Sequence, residues 1–514
     1  GQIDHKAIQS VALDKLNEAE TRQFIESLFN NVPIHQNLLD LIIDRTDGIP
    51  LFIEELVTNL KQKQTVQKLN GQIKLVAGKE AGEVPLSLRD SLQQKLDALI
   101  SAKETAQLAA TIGREFEYKL LANASFKEEE QIQQDLNELM DAALIFKKRR
   151  VEGDIYIFKH ALVRDAAYES ALTHQLKEFH SRIADILAAE NEESGANALL
   201  IATHYSAAKA FKNACRFGLI AISNQVATRA YQEARDTYQN MIKNAAEIND
   251  EAFRTHIEIQ LKAAILPVYT MTDGWGAASI QTFSSDILSA IEKAQSFPEM
   301  ADTSFEHYQH IAERALLMYH HYQGNRAEAR KLGEALLANV QENGDRQKEV
   351  MISSTLGQAY FFDGDLDLAR EVLSRVIEIY DHQQDMNIHY ETGFDPYQFS
   401  AGNLTCIEVI CGNLNNAEHY NKLCLEHSLK TESVGIIIVA YTFGTCLFFV
   451  LNDKERMQQS TNEAIQRYGD EIQSHWVYGN FNMMHEWTLN QYETPEQKVA
   501  DDKASGPVSY THLT

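Results

Sequence analysis

The sequence has few prolines and cysteines, and it lacks several motifs that would identify an enzyme. Eight prolines among 514 residues leave room for long helices, because proline interrupts helix interiors. The five cysteines contain no Cys-x-x-Cys pair, which argues against a zinc knuckle or a disulfide framework and favours reduced thiols in the cytoplasm. No Gly-x-x-x-x-Gly-Lys-Ser/Thr loop occurs, so the sequence has no loop of that type to hold a triphosphate.

Positive charge is also scarce. Lys and Arg number 47 against 73 Asp and Glu, which gives a net charge of −26. Nucleic-acid phosphates and anionic membrane surfaces both attract an excess of basic residues, so we expect no nucleic acid and no membrane as partners. The sequence also has no apolar run near the ~20 residues that a membrane-spanning helix needs.

No set of residues has the spacing of a catalytic or metal site. The chain has neither a Gly-x-Ser-x-Gly elbow nor a His-Glu-x-x-His helix. His307, His310, His320 and His321 suggest metal ligands, but no acid or cysteine completes the set, and a polar helix face is the favoured interpretation. We therefore predict no catalytic residue, no metal ligand and no cofactor in this chain.

Residues 48–56, Gly-Ile-Pro-Leu-Phe-Ile-Glu-Glu-Leu, are the most informative stretch. Gly48 tolerates the left-handed backbone that commonly closes a helix. Pro50 suits a first helical turn because it has no N–H to lose there. The pattern predicts one helix before Gly48 and another from Pro50. A further helix is expected after Asn17–Glu20, and Asn70-Gly71 predicts a hairpin.

A second segment begins at Val84-Pro85. Its pattern is helical at first and changes to that of strands about 60 residues later. The expected elements are a leucine-striped helix over residues 88–99, helix starts at the capping boxes 101–104 and 125–128, and strands over 144–149 and 155–158. Three helices followed by a hairpin predict a winged helix.

From about residue 175 the periodicity is helical almost throughout. Gly324, Gly364 and Gly412 each precede an alanine by five residues, and a weaker copy starts at Asn452. A tight glycine turn followed by a small alanine predicts two helices that pack closely, and stacked pairs form a solenoid with a concave face. We predict a tetratricopeptide-like solenoid that binds a protein or peptide ligand on this face.

Four stretches occur in an order that is more specific than any one of them alone. They are Gly-x-Pro-Leu-Phe-x-Glu-Glu-Leu (48–56), Val-Pro-x-Ser-Leu-x-Asp (84–90), Ala-Ala-x-Ile-Gly-Arg-Glu-Phe (109–116) and Phe-x-His-Ala-Leu-Val-Arg-Asp-Ala-Ala-Tyr-Glu-Ser (158–170). With the repeats that follow, this order resembles bacterial signal-transduction ATPases of the STAND class. Gly274-Trp275 and Gly393-Phe-Asp-Pro396 are similar to residues in the cyclase-linked repeats of that class.

The resemblance implies that a parent protein binds ATP or ADP through an AAA-type ATPase core that is missing from this chain. It implies nucleotide contacts by Pro50, in a motif similar to Gly-Leu-Pro-Leu, and by His160, in a motif similar to Met-His-Asp. Ala161 stands where that motif has its Asp, so half of the motif is lost. Both residues also have structural interpretations, because Pro50 can simply begin a helix and His160 can simply open one after a strand.

The predicted fold is mostly α: a helical lid plus a winged-helix domain, followed by an α-solenoid of tetratricopeptide-like helical pairs. The expected domains are the lid (residues 1–83), the winged helix (84–174), the solenoid (175–500) and a disordered or non-native tail (501–514). The predicted function is the regulatory and protein-interaction portion of a multidomain signalling ATPase. It would couple a nucleotide-dependent switch to an N-terminal output domain through a helical-repeat sensor, with a cyclase favoured and a kinase possible. Its own N-terminal ATPase and output domain are further expected partners. The alternatives are the middle part of a LuxR-type transcription regulator and a nucleotide-independent repeat scaffold.

Overall fold

A computed structural model describes residues 15–62, 64–76, 88–99, 101–150, 153–191, 195, 197–388 and 394–474. Over these residues the chain forms 22 α-helices and five β-strands. It divides into two compact units, which we call the N-terminal unit (residues 1–210) and the repeat unit (residues 211–514). None of the described helices combines the length and the apolar character that crossing a membrane requires.

The N-terminal unit begins with three helices and a hairpin. These are α1 (Glu18–Leu28), α2 (Gln36–Thr46), α3 (Pro50–Gln62), β1 (Val66–Leu69) and β2 (Gln72–Leu75). Asn17 and Glu20 form a reciprocal capping box that begins α1 where the sequence predicts a helix. Asn70 and Gly71 both have positive φ between the antiparallel strands β1 and β2, so the predicted hairpin is confirmed.

The corner between α2 and α3 follows the prediction from residues 48–56. Asp47 and Gly48 adopt left-handed backbone after α2, with φ of 48° and 74°, and α3 begins at Pro50. One apolar cluster joins the three helices to the hairpin. Its buried members are Ile25, Phe29, Ile34, Leu38, Leu39, Ile42, Phe52, Ile53, Leu56, Val57, Leu60 and Ile73.

The rest of the N-terminal unit contains seven more described helices and a small sheet. In chain order these are α4 (Leu88–Ala98), α5 (Ala102–Ile112), β3 (Glu115–Glu117), α6 (Tyr118–Ala124), α7 (Glu129–Asp141), β4 (Ile145–Arg150), β5 (Gly153–Phe158), α8 (Ala161–Glu169), α9 (Thr173–Asn191) and α10 (Ala198–Ala207). The sheet is antiparallel in the order β3-β5-β4.

The β4–β5 hairpin confirms the two predicted strands, but the third strand was not predicted. Strand β3 is only three residues long and directly precedes a helix, so it has too few residues for a strand periodicity. Its central residue, Phe116, is buried against Tyr156 and Phe158, with ring centroids 5.8 and 5.7 Å apart. Burial of this aromatic group anchors β3 to the middle strand of the sheet.

Neither of the two capping boxes predicted in this segment forms. Ser101 does precede α5, but its side chain makes no capping bond, and its hydroxyl accepts a hydrogen bond from the Gln131 side chain at 3.1 Å. Ser125 ends α6 instead of beginning a helix, and α7 starts four residues later at Glu129. At Ser101 a hydrogen bond to a distant helix replaces the predicted capping bond. At Ser125 the end of a short helix occupies the position where the pattern predicts a helix start.

The repeat unit consists of consecutive helices that pack in antiparallel pairs. These are α11 (Phe211–Ala227), α12 (Tyr231–Ala246), α13 (Glu251–Thr272), α14 (Ala278–Gln295), α15 (Glu306–Tyr322), α16 (Arg326–Glu342), α17 (Arg346–Asp363), α18 (Leu366–Ile379), α19 (Pro396–Ile410), α20 (Leu414–Lys430), α21 (Val434–Val450) and α22 (Lys454–Ser474). The first helices of successive pairs also contact one another and form an inner layer. The predicted α-solenoid is confirmed.

The turns of these pairs have the geometry that the glycine signature predicts. Gly324, Gly364 and Gly412 have φ of 74°, 86° and 80°, and the alanine five residues after each is buried. Arg229 adopts the same left-handed backbone, with φ of 60°, five residues before the fully buried Ala234. The α11–α12 turn is therefore of the same kind, although its sequence has no glycine.

Some predicted boundaries fall where the structure gives no description. The division between residues 83 and 84 and the tail over 501–514 both lie outside the described residues. The division between residues 174 and 175 stays a prediction.

Candidate functional site

Two of the four motif stretches that carry the resemblance, residues 48–56 and 158–170, meet in space. Lys159, at the end of β5, places its Nζ atom 3.3 Å from a carboxylate oxygen of Glu54 on α3. The adjacent Glu55 is buried and forms an ion pair with Lys95 on α4. Helices α3 and α4 and the start of α8 thus share one charged junction, which we call the α3–α8 junction.

His160 lies at this junction, in the capping position of α8. Its backbone is extended, with φ of −136° and ψ of 150°, and its side chain makes no capping hydrogen bond. The Nε2 atom is buried and has no hydrogen-bond partner. Burial lowers the pKa of His160, as do the charges of Lys159 and Arg114, whereas Glu54 and Glu55 oppose this effect.

A lowered pKa leaves the His160 imidazole neutral at neutral pH. A neutral imidazole has one nitrogen that donates and one that accepts a hydrogen bond. The unpartnered Nε2 atom is therefore a group that a ligand or an approaching domain can satisfy, and a buried polar atom without a partner carries a free-energy cost until it is satisfied. The nucleotide contact expected of His160 stays a prediction.

Pro50 is exposed at the first turn of α3, one helical turn before Glu54. Its position depends on Gly48, whose backbone oxygen accepts a hydrogen bond from the Leu16 N–H at 2.9 Å. A Cβ atom at Gly48 would overlap the Leu16 carbonyl oxygen, so only glycine fits this corner. Pro50 begins a helix, and its predicted nucleotide contact remains a prediction as well.

A buried chain of three polar side chains in the N-terminal unit was not predicted. The Tyr168 hydroxyl lies 2.9 Å from Nε2 of His180, whose Nδ1 lies 2.8 Å from Nδ1 of His204. Burial lowers the pKa of both histidines to about 4, so both are neutral at pH 7. Only one of the two facing Nδ1 atoms can then carry a proton. This hydrogen bond joins α9 to α10, and the Tyr168–His180 bond joins α8 to α9.

Sequence patterns did not predict this chain of side chains, because its members are single polar residues on three different helices.

In the repeat unit, buried polar side chains also hold the start of α19. Asp395 accepts a hydrogen bond from the Gln398 N–H at 2.8 Å, and its other carboxylate oxygen lies 3.0 Å from Nε2 of His427. Both partners are almost completely buried.

A cleft of about 180 Å³ opens between the last described helix pairs. Its lining includes Asn421, Tyr441 and Gly444, together with Arg456 and Glu463 from α22. The side-chain Oδ1 atom of Asn421 is buried there without a hydrogen-bond partner. The cleft therefore has room and an unused acceptor for a small side chain of a bound protein.

Comparison with known proteins gives a coarse structural similarity. No protein family model matches the chain, and no curated protein matches it at a significant level. Among solved structures, the chain is similar to a Signal Transduction ATPase with Numerous Domains (STAND) protein with a tetratricopeptide repeat sensor from Pyrococcus horikoshii. The two are 13% identical, the similarity covers 96% of this chain and 72% of that chain, and the TM-score is 0.42. The assignment of a repeat array therefore rests on the packed helix pairs from α11 to α22.

Proposed function

We propose that this chain is the regulatory and protein-interaction portion of a multidomain signalling ATPase. The N-terminal unit would act as a lid and winged helix over a nucleotide bound by an ATPase core, and the repeat unit would act as the sensor. The output would be a cyclase, with a kinase as the other possibility. The observation that carries the proposal is the α3–α8 junction, where two motif stretches about 100 residues apart in sequence make an ion pair.

The junction has the properties of a nucleotide-sensitive contact. It combines two carboxylates, two lysines and the unpartnered Nε2 atom of His160 in one place. A diphosphate adds negative charge and hydrogen-bond acceptors, so it would attract the lysines and accept a hydrogen bond from the imidazole. Exchange of a diphosphate for a triphosphate would then change the balance of attraction at α3 and α8, and this would bias the position of the lid.

The repeat unit supports a sensor role because its helix pairs form an extended surface without a catalytic set. Among the described residues, no group of three or more His, Cys, Asp and Glu side chains has a metal-binding arrangement. Stacked helix pairs bind proteins or peptides through shape and scattered polar contacts. We propose a protein or peptide ligand on the inner layer of this array.

The test is ADP release from the full gene product, measured with a fluorescent ADP analogue. His160→Ala should accelerate release by on the order of tenfold, because a hydrogen bond to a charged group contributes roughly 1.5–3 kcal/mol. His174, which is exposed on α9, provides the control, and His174→Ala should leave the release rate unchanged. Equal rates for the wild type and His160→Ala would remove His160 from the switch.

A second measurement separates the alternatives. The chain of residues 1–514 by itself should show no ATP hydrolysis, since it has no phosphate-binding loop of the usual type. Robust turnover by a pure sample would refute the idea that the ATPase core lies elsewhere. A full gene product that binds no nucleotide would instead favour the repeat scaffold.

A further inference from the structure

Arg314 on α15 is a buried cation that lies against two aromatic rings. Its guanidinium carbon lies 5.4 Å from the ring centroid of Trp275 and 5.2 Å from that of Phe394. The two rings are themselves 6.4 Å apart and nearly perpendicular. Trp275 follows α13 and Phe394 precedes α19, so the structure brings together two sequence features, Gly274-Trp275 and Phe394–Pro396, that the sequence analysis noted separately.

Arg314 is 5% exposed, yet no carboxylate of the described residues pairs with it. Its Nη1 atom is buried and has no hydrogen-bond partner. Burial lowers the pKa of Arg314 to about 10, which still leaves the group charged at neutral pH. A cation–π contact contributes about 0.5–2 kcal/mol, but it does not satisfy the N–H donors of the guanidinium edge.

Other arginines of the repeat unit show what is missing at Arg314. Three of them also lie over an aromatic ring, and each has an acidic partner on its guanidinium nitrogens. They are Arg235, over Tyr269 and paired with Asp273 at 2.5 Å; Arg330, over Tyr360 and paired with Glu334 at 2.8 Å; and Arg456, over Phe448 and paired with Asp453 at 2.6 Å. The same arrangement of ring, arginine and carboxylate recurs, and at Arg314 the carboxylate position is unfilled by the described residues.

The groups near Arg314 leave its positive charge unpaired. Burial first, and then the positive charges of Arg314 and Lys348, lower the pKa of His310, one turn earlier on α15, to about 4, so this imidazole is neutral at pH 7. The Nε2 atom of His310 is likewise buried without a partner. Lys348 is paired with both Asp345, at 2.9 Å, and Glu306, so its charge is already balanced. Arg314 therefore keeps a positive charge that no carboxylate of the described residues pairs with.

We propose that Arg314, which lies against Trp275 and Phe394, is a receptor for a carboxylate that a bound protein segment presents to the inner layer of the repeat unit. The inference rests on the proposed function, because it names the chemistry of the ligand that the sensor recognises. A guanidinium matches a carboxylate with two parallel hydrogen bonds, and the two ring contacts restrict the movement of the side chain. The carboxylate comes either from an Asp or Glu side chain or from a chain terminus.

Trp275 provides the reporter for the test. The chain has three tryptophans, and replacing Trp476 and Trp487 with Phe leaves Trp275 as the one emitter. Triglutamate should produce a saturable change in its fluorescence, and triglutamine with an amidated C-terminus, which carries no carboxylate, should not. Triglutamate with an amidated C-terminus tests the side-chain source of the carboxylate, and trialanine with a free C-terminus tests the terminal source.

Variants at Arg314 test whether the response depends on the guanidinium. Arg314→Met should weaken triglutamate binding at least tenfold, and Arg314→Lys should weaken it less, since the charge is kept but the planar pair of donors is lost. Arg330→Met removes an arginine that already has acidic partners, and it should leave the binding unchanged. If Arg314→Met does not fold, the lysine variant and the wild-type comparison of triglutamate with amidated triglutamine still decide.

Two results would overturn the inference. One is an equal response of the wild type to triglutamate and to triglutamine with an amidated C-terminus, which would show that Arg314 has only a packing role. The other is undiminished triglutamate binding by the Arg314 variants. The titration needs no nucleotide, so its failure is distinct from a failure of the ADP-release test, which would overturn the proposed function and leave a carboxylate receptor in place.

Discussion

Replacing Gly48 with alanine tests the physical basis of the corner that presents Pro50. Gly48 has φ of 74°, and left-handed backbone costs an alanine roughly 1–2 kcal/mol. The added Cβ would also overlap the Leu16 carbonyl oxygen, a backbone atom that cannot turn away as a side chain can. Moving it apart breaks the hydrogen bond from the Leu16 N–H to the Gly48 oxygen, which contributes about 1 kcal/mol. We therefore expect a loss of about 3 kcal/mol.

Gly71 provides a matched control in the same unit. Its φ of 79° is almost the same, but a Cβ there would meet nothing within 4 Å. Gly71→Ala should therefore cost about 1–2 kcal/mol, from the backbone conformation alone. Native-state hydrogen exchange of α2 and α3 amides measures both losses locally, which is appropriate for a chain of two units that does not unfold in one step. Equal losses for the two variants would refute the argument from the Leu16 contact.

Two further predictions concern buried polar groups. The pKa of His180 and His204 is about 4 in the folded chain and ~6.5 in the unfolded chain, so the unfolded state binds more protons between these pH values. The free energy of opening α9 and α10 should therefore fall as the pH drops from 6.5 to 4. The fall should be up to about 1.4 kcal/mol per pH unit for each histidine. Hydrogen exchange at several pH values measures how steeply this opening free energy depends on pH. The dependence should be weaker in His204→Phe and unaltered in His174→Gln. Equal dependence in the wild type and both variants would contradict the assignment of the effect to the buried histidines. Asp385 is fully buried and accepts a hydrogen bond from Arg346 at 2.9 Å. Asp385→Asn should therefore destabilise the α17–α18 region by about 3 kcal/mol in urea denaturation. Additive losses in the double variant with Arg346→Met would show that the two residues are not coupled.

Much of the architecture could be predicted from local sequence patterns. The α1 capping box, the α2–α3 corner, the hairpin at Asn70-Gly71 and the glycine-turn pairs all depend on residues within about five positions of one another. Backbone conformation at such sites is decided by short-range sterics and hydrogen bonds, so a sequence pattern is sufficient. The same approach failed at Ser101, where the side chain bonds to Gln131 on another helix.

The candidate sites were less accessible to sequence reasoning. His160 and Pro50 came from resemblance, and the sequence did not indicate that Lys159 would reach Glu54 or that Nε2 of His160 would be buried without a partner. The sequence indicated neither the Tyr168–His180–His204 chain nor the contact of Arg314 with Trp275 and Phe394. Each joins single residues that lie on different helices, and no periodicity marks such residues.

The sequence by itself determined that this chain is helical, acidic and built of repeated pairs in its second half, because these properties follow from composition and from contacts between near neighbours. Only the tertiary structure decided which polar groups are buried without a partner, since burial depends on what distant segments bring to the same place. The charge of Arg314 can be read from the sequence, but its burial against two rings, with no acidic partner among the described residues, depends on the packing of α13, α15 and α19.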